Sequence, residues 1–470
     1  MKDLSSTGVR WPWCISASFV LFFALGVWVL GPQFTFGEGH AERPIWTFLF
    51  CYAVGWCGLA LAGLLLWRDA LPPMAIVIGV AVIGRGLMLD SNLIQSSDAY
   101  RYVLDGEAVL HGVNPYRHAP SEVVENASDD FRSALETDSA QRVLQRVSHP
   151  EVPTVYPPLA QVLFASGAWL TPWNWFGQRI VFVLCDIATI ALLIALLTRF
   201  QMPRAWIVFY AWNPLILKEV ANSAHVDSLA TVCLIAALLA AARSTDSPAL
   251  HWPVICGLSL AGAVLAKLYP VLLVPAFCAY WIKQHGGLRS TTAFVTVLVG
   301  CTIIAYLPFL GVGVDTLTEG FRRYAGDWRR NDGAFGLLAA LTPHARIVTT
   351  GVIAVGAICG AIHILRRDAS IDGLIAVIQF TLLGWLLLLP APYPWYATSL
   401  LAVCVLRPRV WVIVISGALA VYYYSFIHEY RAHPTSWLYF SQTIEHGAIW
   451  MTVGASFFAG KRWVIRQVST

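Results

Sequence analysis

Apolar runs long enough to cross a bilayer recur along the whole chain, and no other feature limits its fold so strictly. A helical span needs about 20 apolar residues. No water is available inside the hydrocarbon, so each backbone N–H and C=O must be satisfied within the chain, as a helix does. Only 12% of the 470 residues are charged and 57% are hydrophobic, against about 25% charged in an ordinary soluble domain. The expected fold is therefore all-α, one polytopic membrane domain over residues 1–470. Twenty Trp and seventeen Tyr suit the interfacial belts where amphipathic rings settle.

The runs place spans near 12–30, 45–67, 73–89, 177–198, 205–221, 226–242, 252–267, 268–283, 291–310, 345–365, 371–389, 394–407, 410–427 and 446–460. That is about 13–14 transmembrane helices. The stretch 158–172 is apolar but short, and reads as a re-entrant or interfacial helix. With it not crossing, Lys2, Arg10, Arg68, Arg199, Arg204, Arg243, Lys283, Arg289, Arg366, Arg367, Arg407, Arg409, Lys461, Arg462 and Arg466 fall on one side. The short loops opposite keep little beyond Arg43 and Arg431. Basic residues gather on the cytoplasmic side. Both termini are then cytoplasmic, and the loops 90–157 and 311–344 extracytoplasmic. Lys2 and Arg10 precede the first apolar run with no small-residue cleavage site after it, which suggests an uncleaved helix.

Other classes find little support. The net charge is +4 with no Lys/Arg-rich run, so nucleic acid is not an expected partner. Ten cysteines are scattered singly through the spans and read as small buried hydrophobes. Loop 121–149 reads as a solvated surface helix, and Asn126-Ala-Ser128 is a short sequon.

Polar residues gather in the extracytoplasmic segments. In Ser96-Ser-Asp-Ala-Tyr-Arg-Tyr-Val-Leu-Asp-Gly, residues Asp98, Arg101, Tyr102 and Asp105 share a helical face. Asp98 reads first as a helix N-cap, with catalysis the second option. Asp105 is placed to pair with Arg101, and Asn114-Pro-Tyr116 to turn. Tyr156-Pro-Pro158 precedes the re-entrant segment. Lys218, Asn222 and His225 also fall on one helical face. Lys218 and Lys267 could each snorkel to the interface or bind phosphate. Arg322-Arg-Tyr-Ala-Gly-Asp-Trp-Arg-Arg-Asn331 concentrates charge on the side where basic residues are scarce. Arg85 and Asp186, both within spans, are expected to pair or to be buried against polar groups. His225 with Asp227 and Asp98 lacks a metal-ligand spacing. A cavity for an anionic headgroup follows, which an enzyme and a transporter would share.

The order of these segments resembles the integral-membrane glycosyltransferases of the GT-C superfamily. The blocks are Ser97-Asp98-Ala-Tyr-Arg-Tyr-Val-Leu-Asp-Gly, Gly112-Val-Asn-Pro-Tyr116, Tyr156-Pro-Pro-Leu159 and Trp212-Asn-Pro with His225-Val-Asp227. Lys267-Leu-Tyr-Pro270, Trp328 with Asn331, and Pro394-Trp-Tyr396 follow in order. The nearest likeness is to bacterial polyprenyl-phosphomannose-dependent mannosyltransferases, with weaker similarity to the first mannosyltransferase of GPI-anchor assembly. Two departures stand out: Ser97-Asp98 where relatives often carry two adjacent acids, and Leu104 where an aromatic usually precedes Asp105.

The resemblance implies a bacterial inner-membrane enzyme that moves a hexose, most simply mannose, from a polyprenyl-phosphate carrier to a glycan or glycolipid acceptor. It implies Asp98 as the base, overriding the cap. Lys218, Lys267, Arg322 and Arg323 would meet the donor phosphate. Tyr116, Tyr156, His225, Asp227, Tyr269, Trp328, Asn331 and Tyr396 would contact sugar or acceptor. Arg101, Asp105 and Asn114 would be scaffold. No metal or other cofactor is demanded. Transfer of glucose or arabinose, and a lipid-linked-sugar flippase, are the alternatives.

Overall fold

In the computed structural model, the described residues are 10–35, 39–284, 287–431 and 435–458. Lys2, Lys461, Arg462 and Arg466, both chain termini and the end of the 446–460 span lie outside them. The described residues are helical, joined by short turns. Seven helices are long and apolar enough to cross a membrane: Trp11–Phe34, Ile45–Trp67, Phe176–Arg199, Gly287–Val312, Ala345–Arg366, Ile371–Leu388 and Val410–Glu429. Counting the bent pair Pro214–Asn222 and Asp227–Arg243 as one span gives eight. This is below the expected total because Met74–Leu89, Pro158–Leu170, His251–Ala266 and Tyr269–Lys283 are short. A helix of 16 residues such as Met74–Leu89 is about 24 Å long, against a hydrocarbon core of about 30 Å. The run 394–407 likewise resolves into short buried turns, Pro394–Ala397 and Thr398–Cys404.

The expected continuous span 205–221 is not one helix. It breaks at Asn213-Pro214, because Pro214 has no N–H to continue the ladder and Asn213 caps the next turn by accepting from Leu215 N at 3.0 Å. Leu217–Asn222 then winds as a π-helix. Ser223 N donates to the Lys218 carbonyl at 2.9 Å and His225 N to the Glu219 carbonyl at 3.0 Å. Ala224 sits at φ +58°, and the chain turns by 118° into Asp227–Arg243. Lys218, Asn222 and His225 therefore do not share a face. Rare π turns of this kind concentrate at functional sites.

Among the apolar helices, Arg85 and Asp186 find each other. Arg85 Nε lies 2.5 Å from Asp186 Oδ2, and Arg85 Nη1 donates to the Ala211 carbonyl at 2.9 Å. The pairing expected from sequence thus pins Met74–Leu89 to Phe176–Arg199 and to the broken segment.

The loop 90–157 opens with the helix Asp98–Leu110 and continues through Val123–Asn126, Asp129–Leu135 and Asp138–Leu144. Ser128 and Thr137 cap the last two, so the surface helix expected over 121–149 is split into short turns. Asp98–Leu110 lies against Pro158–Leu170 with almost no gap. A Cβ on Gly106 would sit 2.3 Å from the Phe164 carbonyl oxygen. Tyr102 stacks on Phe164 with ring centres 4.4 Å apart. In the second loop the helix Val314–Asp327 makes a similar approach. A Cβ on Gly320 would lie 2.5 Å from the Pro153 and Thr154 carbonyl oxygens. These contacts close the two loops around one space.

Candidate active site

That space is a cavity of about 1110 Å³. Its lining combines Asp98, Lys267, Arg330 and Arg346 with Tyr156, Tyr269, Tyr324, Trp328, Trp385, Tyr393, Trp395 and Tyr396. One flank is apolar, with Val271, Leu272, Ile353 and Leu388; another holds Arg43, Asn92 and Gln95. Sugars are recognised by aromatic faces and polar edges, and phosphates by cations.

Asp98 is the first residue of its helix, not its cap; Ser97 holds the N-cap position with no side-chain cap bond. The carboxylate is left partly open at the cavity, 29% exposed, and lies 3.8 Å from His225 Nε2. Of the two carboxylates in the lining among the described residues, Glu429 is engaged by Arg330 at 2.9 Å. Asp98 is the other.

Behind this wall the broken helix buries a row of charges. His225 Nδ1 lies 2.9 Å from Glu219 Oε2, and Lys218 Nζ 3.4 Å from Glu219 Oε1; all three side chains are fully buried. Lys218 Nζ also sits 4.3 Å over the Tyr423 ring. Trp395 covers His225 with the rings 4.0 Å apart and nearly parallel. Asp227 pairs with Lys267 at 2.5 Å, and Lys267 Nζ lies 4.4 Å over the Tyr396 ring. Tyr396 and Tyr324 join hydroxyls at 2.5 Å. Tyr269 reaches Ser399 Oγ at 2.5 Å and stacks on Trp385. Asn222 fastens the strand of chain leading to Asp98, donating to Ser91 Oγ and the Asn92 carbonyl at 2.7 Å and accepting from Ile94 N at 3.0 Å.

Arg101, Asp105 and Asn114, expected as scaffold, bond to neighbouring side chains and to backbone. Arg101 Nε meets Asp105 Oδ1 at 3.0 Å and Arg101 Nη2 donates to the Val152 carbonyl at 2.8 Å. Asp105 Oδ2 accepts from Thr154 Oγ1 at 2.5 Å. Asn114 Oδ1 accepts from Tyr116 N at 3.0 Å, which makes the turn, and Tyr116 donates its hydroxyl to the Tyr156 carbonyl at 2.7 Å. Tyr156 itself faces the cavity, and burial, then the nearby Asp98 charge, hold its phenol well above its ordinary value. It remains a neutral hydroxyl.

Other candidates are not gathered there. Arg322 and Arg323 are exposed and paired with Asp315 and Glu319 on their own helix, outside the lining. Asn331 is buried and donates to Glu445 Oε1 at 2.7 Å. Tyr116, Lys218, His225 and Asp227 lie behind the wall rather than in it. Sequence reasoning did not single out Glu219, Tyr324, Trp385 or Arg346. Glu219 carried one available signal: an acid directly after a lysine inside an apolar run, where charge is costly unless paired. Among the described residues, no group of three His, Cys, Asp or Glu side chains is arranged to hold a metal ion.

A carboxylate opening on a cavity of tyrosines, tryptophans and cations suits a sugar carried on a phosphate, which a membrane glycosyltransferase and a lipid-linked-sugar transporter would both bind. The family described as alpha-(1->6)-mannopyranosyltransferase, N-terminal domain, matches residues 40–283. This stretch holds Asp98, Lys218, Glu219, His225, Asp227 and Lys267. The chain belongs to that mannosyltransferase family, within the GT-C class. Neither a curated protein nor a solved structure matches it.

Proposed function

We propose that the protein transfers mannose from a polyprenyl-phosphate donor to a glycan or glycolipid acceptor on the extracytoplasmic face, with Asp98 as the base. The observation that carries this reading is the state of Asp98: among the described residues, it is the lining carboxylate with no Lys or Arg in contact, and it begins a helix locked in place by Gly106. The acceptor hydroxyl loses its proton to Asp98 as its oxygen attacks the anomeric carbon. The C–O bond to phosphate breaks and its electron pair stays on the leaving polyprenyl phosphate. Lys267, at the cavity surface, meets that growing charge, with Arg330 and Arg346 among the other cations of the lining. Arg322 and Arg323, paired and outside, are less suited to it, and Lys218 can act only through Glu219. Trp328, Tyr269 and Tyr396 supply ring faces for the sugar. The apolar flank at Val271, Ile353 and Leu388 suits an isoprenoid chain approaching from the bilayer.

The test is Asp98→Asn in membranes given a labelled polyprenyl-phosphate mannose. Loss of transfer of at least ~100-fold in a normally folded variant is expected. Near-normal transfer would remove Asp98 from catalysis. Labelled glucose and arabinose donors assayed beside mannose decide the sugar.

A further inference from the structure

We infer that His225, backed by Glu219, is a positioning residue that takes from Asp98 the proton Asp98 removes from the acceptor. The inference rests on Asp98 being the base. His225 Nδ1 has two acceptors beside it, Glu219 Oε2 at 2.9 Å and the Glu219 carbonyl at 3.2 Å. An imidazole nitrogen between two acceptors carries the hydrogen, which leaves Nε2 with the lone pair in the neutral ring. That Nε2 is buried, has no hydrogen-bond partner, and faces Asp98 Oδ2 at 3.8 Å. An unsatisfied buried polar atom of this kind calls for an explanation. Trp395 seals the ring from the cavity, so Asp98 is the group through which a proton reaches it.

The groups around His225 can hold the proton once it arrives. Asp98, Glu219 and Asp227 are carboxylates, and Lys218 and Lys267 are ammonium groups, on the elements that surround the ring. Lys218 and Lys267 balance Glu219 and Asp227, and the third carboxylate, Asp98, is the one that opens on the cavity. Moving the proton from Asp98 to His225 leaves the total charge unchanged and sets the imidazolium between Glu219, at 2.9 Å, and the restored Asp98 carboxylate. The steps balance: the acceptor O–H breaks and an Asp98 O–H forms; that O–H breaks in turn and a His225 Nε2–H forms. Asp98 recovers its charge beside the sugar. The proton then returns through Asp98 to the departing phosphate or to cavity water. The gap of 3.8 Å between the two groups shortens when the carboxyl swings with bound acceptor, as catalytic hydrogen bonds do.

The full-length protein in detergent, with labelled polyprenyl-phosphate mannose, tests this. His225→Gln should lower kcat about 10-fold or more with the donor KM within about twofold, and flatten the acid limb of the pH–rate profile. Glu219→Gln should do the same. The double variant should be no slower than His225→Gln alone, because Glu219 acts only through His225. If the single variants fold poorly, Lys218→Met with Glu219→Gln removes two opposite charges together and should give the same flattened profile. A folded His225→Gln with normal kcat and an unchanged pH profile overturns the inference. Asp98→Asn separates the two readings: if it retains transfer, the base assignment fails, whereas if it is inactive and His225→Gln is normal, only the relay fails.

Discussion

Gly106→Ala tests whether Asp98 is placed by helix packing. The added methyl would lie 2.3 Å from the Phe164 carbonyl oxygen and 2.5 Å from its carbon, both backbone atoms of Pro158–Leu170 that no rotamer change can move aside. A carbon beside a carbonyl oxygen rests at about 3.3–3.6 Å, so the two helices must part by about 1 Å. Overpacking of this order costs about 1–3 kcal/mol of stability. Asp98 lies eight residues earlier, about 12 Å along the same rigid helix, and a tilt or shift of that helix carries the carboxylate with it. Misplacement by about 1 Å at a reacting group can cost about 100-fold in rate.

The assay is kcat for labelled mannose transfer by purified protein, beside a thermal unfolding curve. Gly86→Ala is the control, since a Cβ there meets nothing within 4 Å. The expected result is a folded Gly106→Ala protein with a rate about 100-fold lower and a wild-type rate for Gly86→Ala. A Gly106→Ala protein that folds and transfers at the wild-type rate would refute the link between this contact and Asp98.

Three further outcomes are expected. Asp105→Ala strands the buried Arg101 guanidinium and should destabilise the protein by about 3–5 kcal/mol, while transfer per folded molecule changes much less; a stable, inactive variant would make Asp105 chemical rather than structural. Lys267→Met should lower kcat/KM by about 100–1000-fold, whereas the double variant Arg322→Ala, Arg323→Ala should stay near wild type, as both are exposed and paired. Glu107 accepts from Trp173 N at 2.7 Å, yet burial pushes its carboxyl above the ordinary value. Its folded value therefore exceeds its unfolded one, so the wild-type protein loses stability as pH rises from one to the other. Glu107→Gln should match wild type in thermal stability near pH 4 and exceed it near pH 8.

What could be read from the chain follows from the range of the interactions involved. Apolar length fixed Ile45–Trp67 and placed Phe176–Arg199 within a residue, because a span is a local property. The Arg101–Asp105 pair and the Asn114 turn were equally local, set by spacings of four and two. Arg85 and Asp186 could be matched across 101 positions because charges in spans are few and must be paired. Periodicity failed at 205–221, where Pro214 and a π turn replace the 3.6-residue repeat, and with it went the shared face of Lys218, Asn222 and His225. The cavity wall was legible only as separate polar words. That Trp395 covers His225 while Arg322 faces away depends on packing between helices far apart in sequence, which no spacing encodes.

The break in the Pro214–Asn222 helix also explains how a site so charged can be held beside hydrocarbon. A regular helix would present Lys218 and Glu219, adjacent in sequence, about 100° apart, on faces that different neighbours would have to satisfy. The π turn and the bend at Ala224 bring Lys218, Glu219 and His225 into one contiguous row instead, each bonded to the next and capped by the rings of Tyr423 and Trp395. A strained φ at a non-glycine residue is retained only where the surroundings compensate it. Here the compensation is the pairing of charges that would otherwise be buried alone. Ala224→Gly would relieve the backbone without touching any side chain in the row. Transfer should survive it with stability equal or slightly higher, because the row and not the strain itself positions His225 against Asp98. A large loss of kcat in a stable Ala224→Gly protein would mean that the stiffness of this bend, beyond the ion pairs, holds the site together.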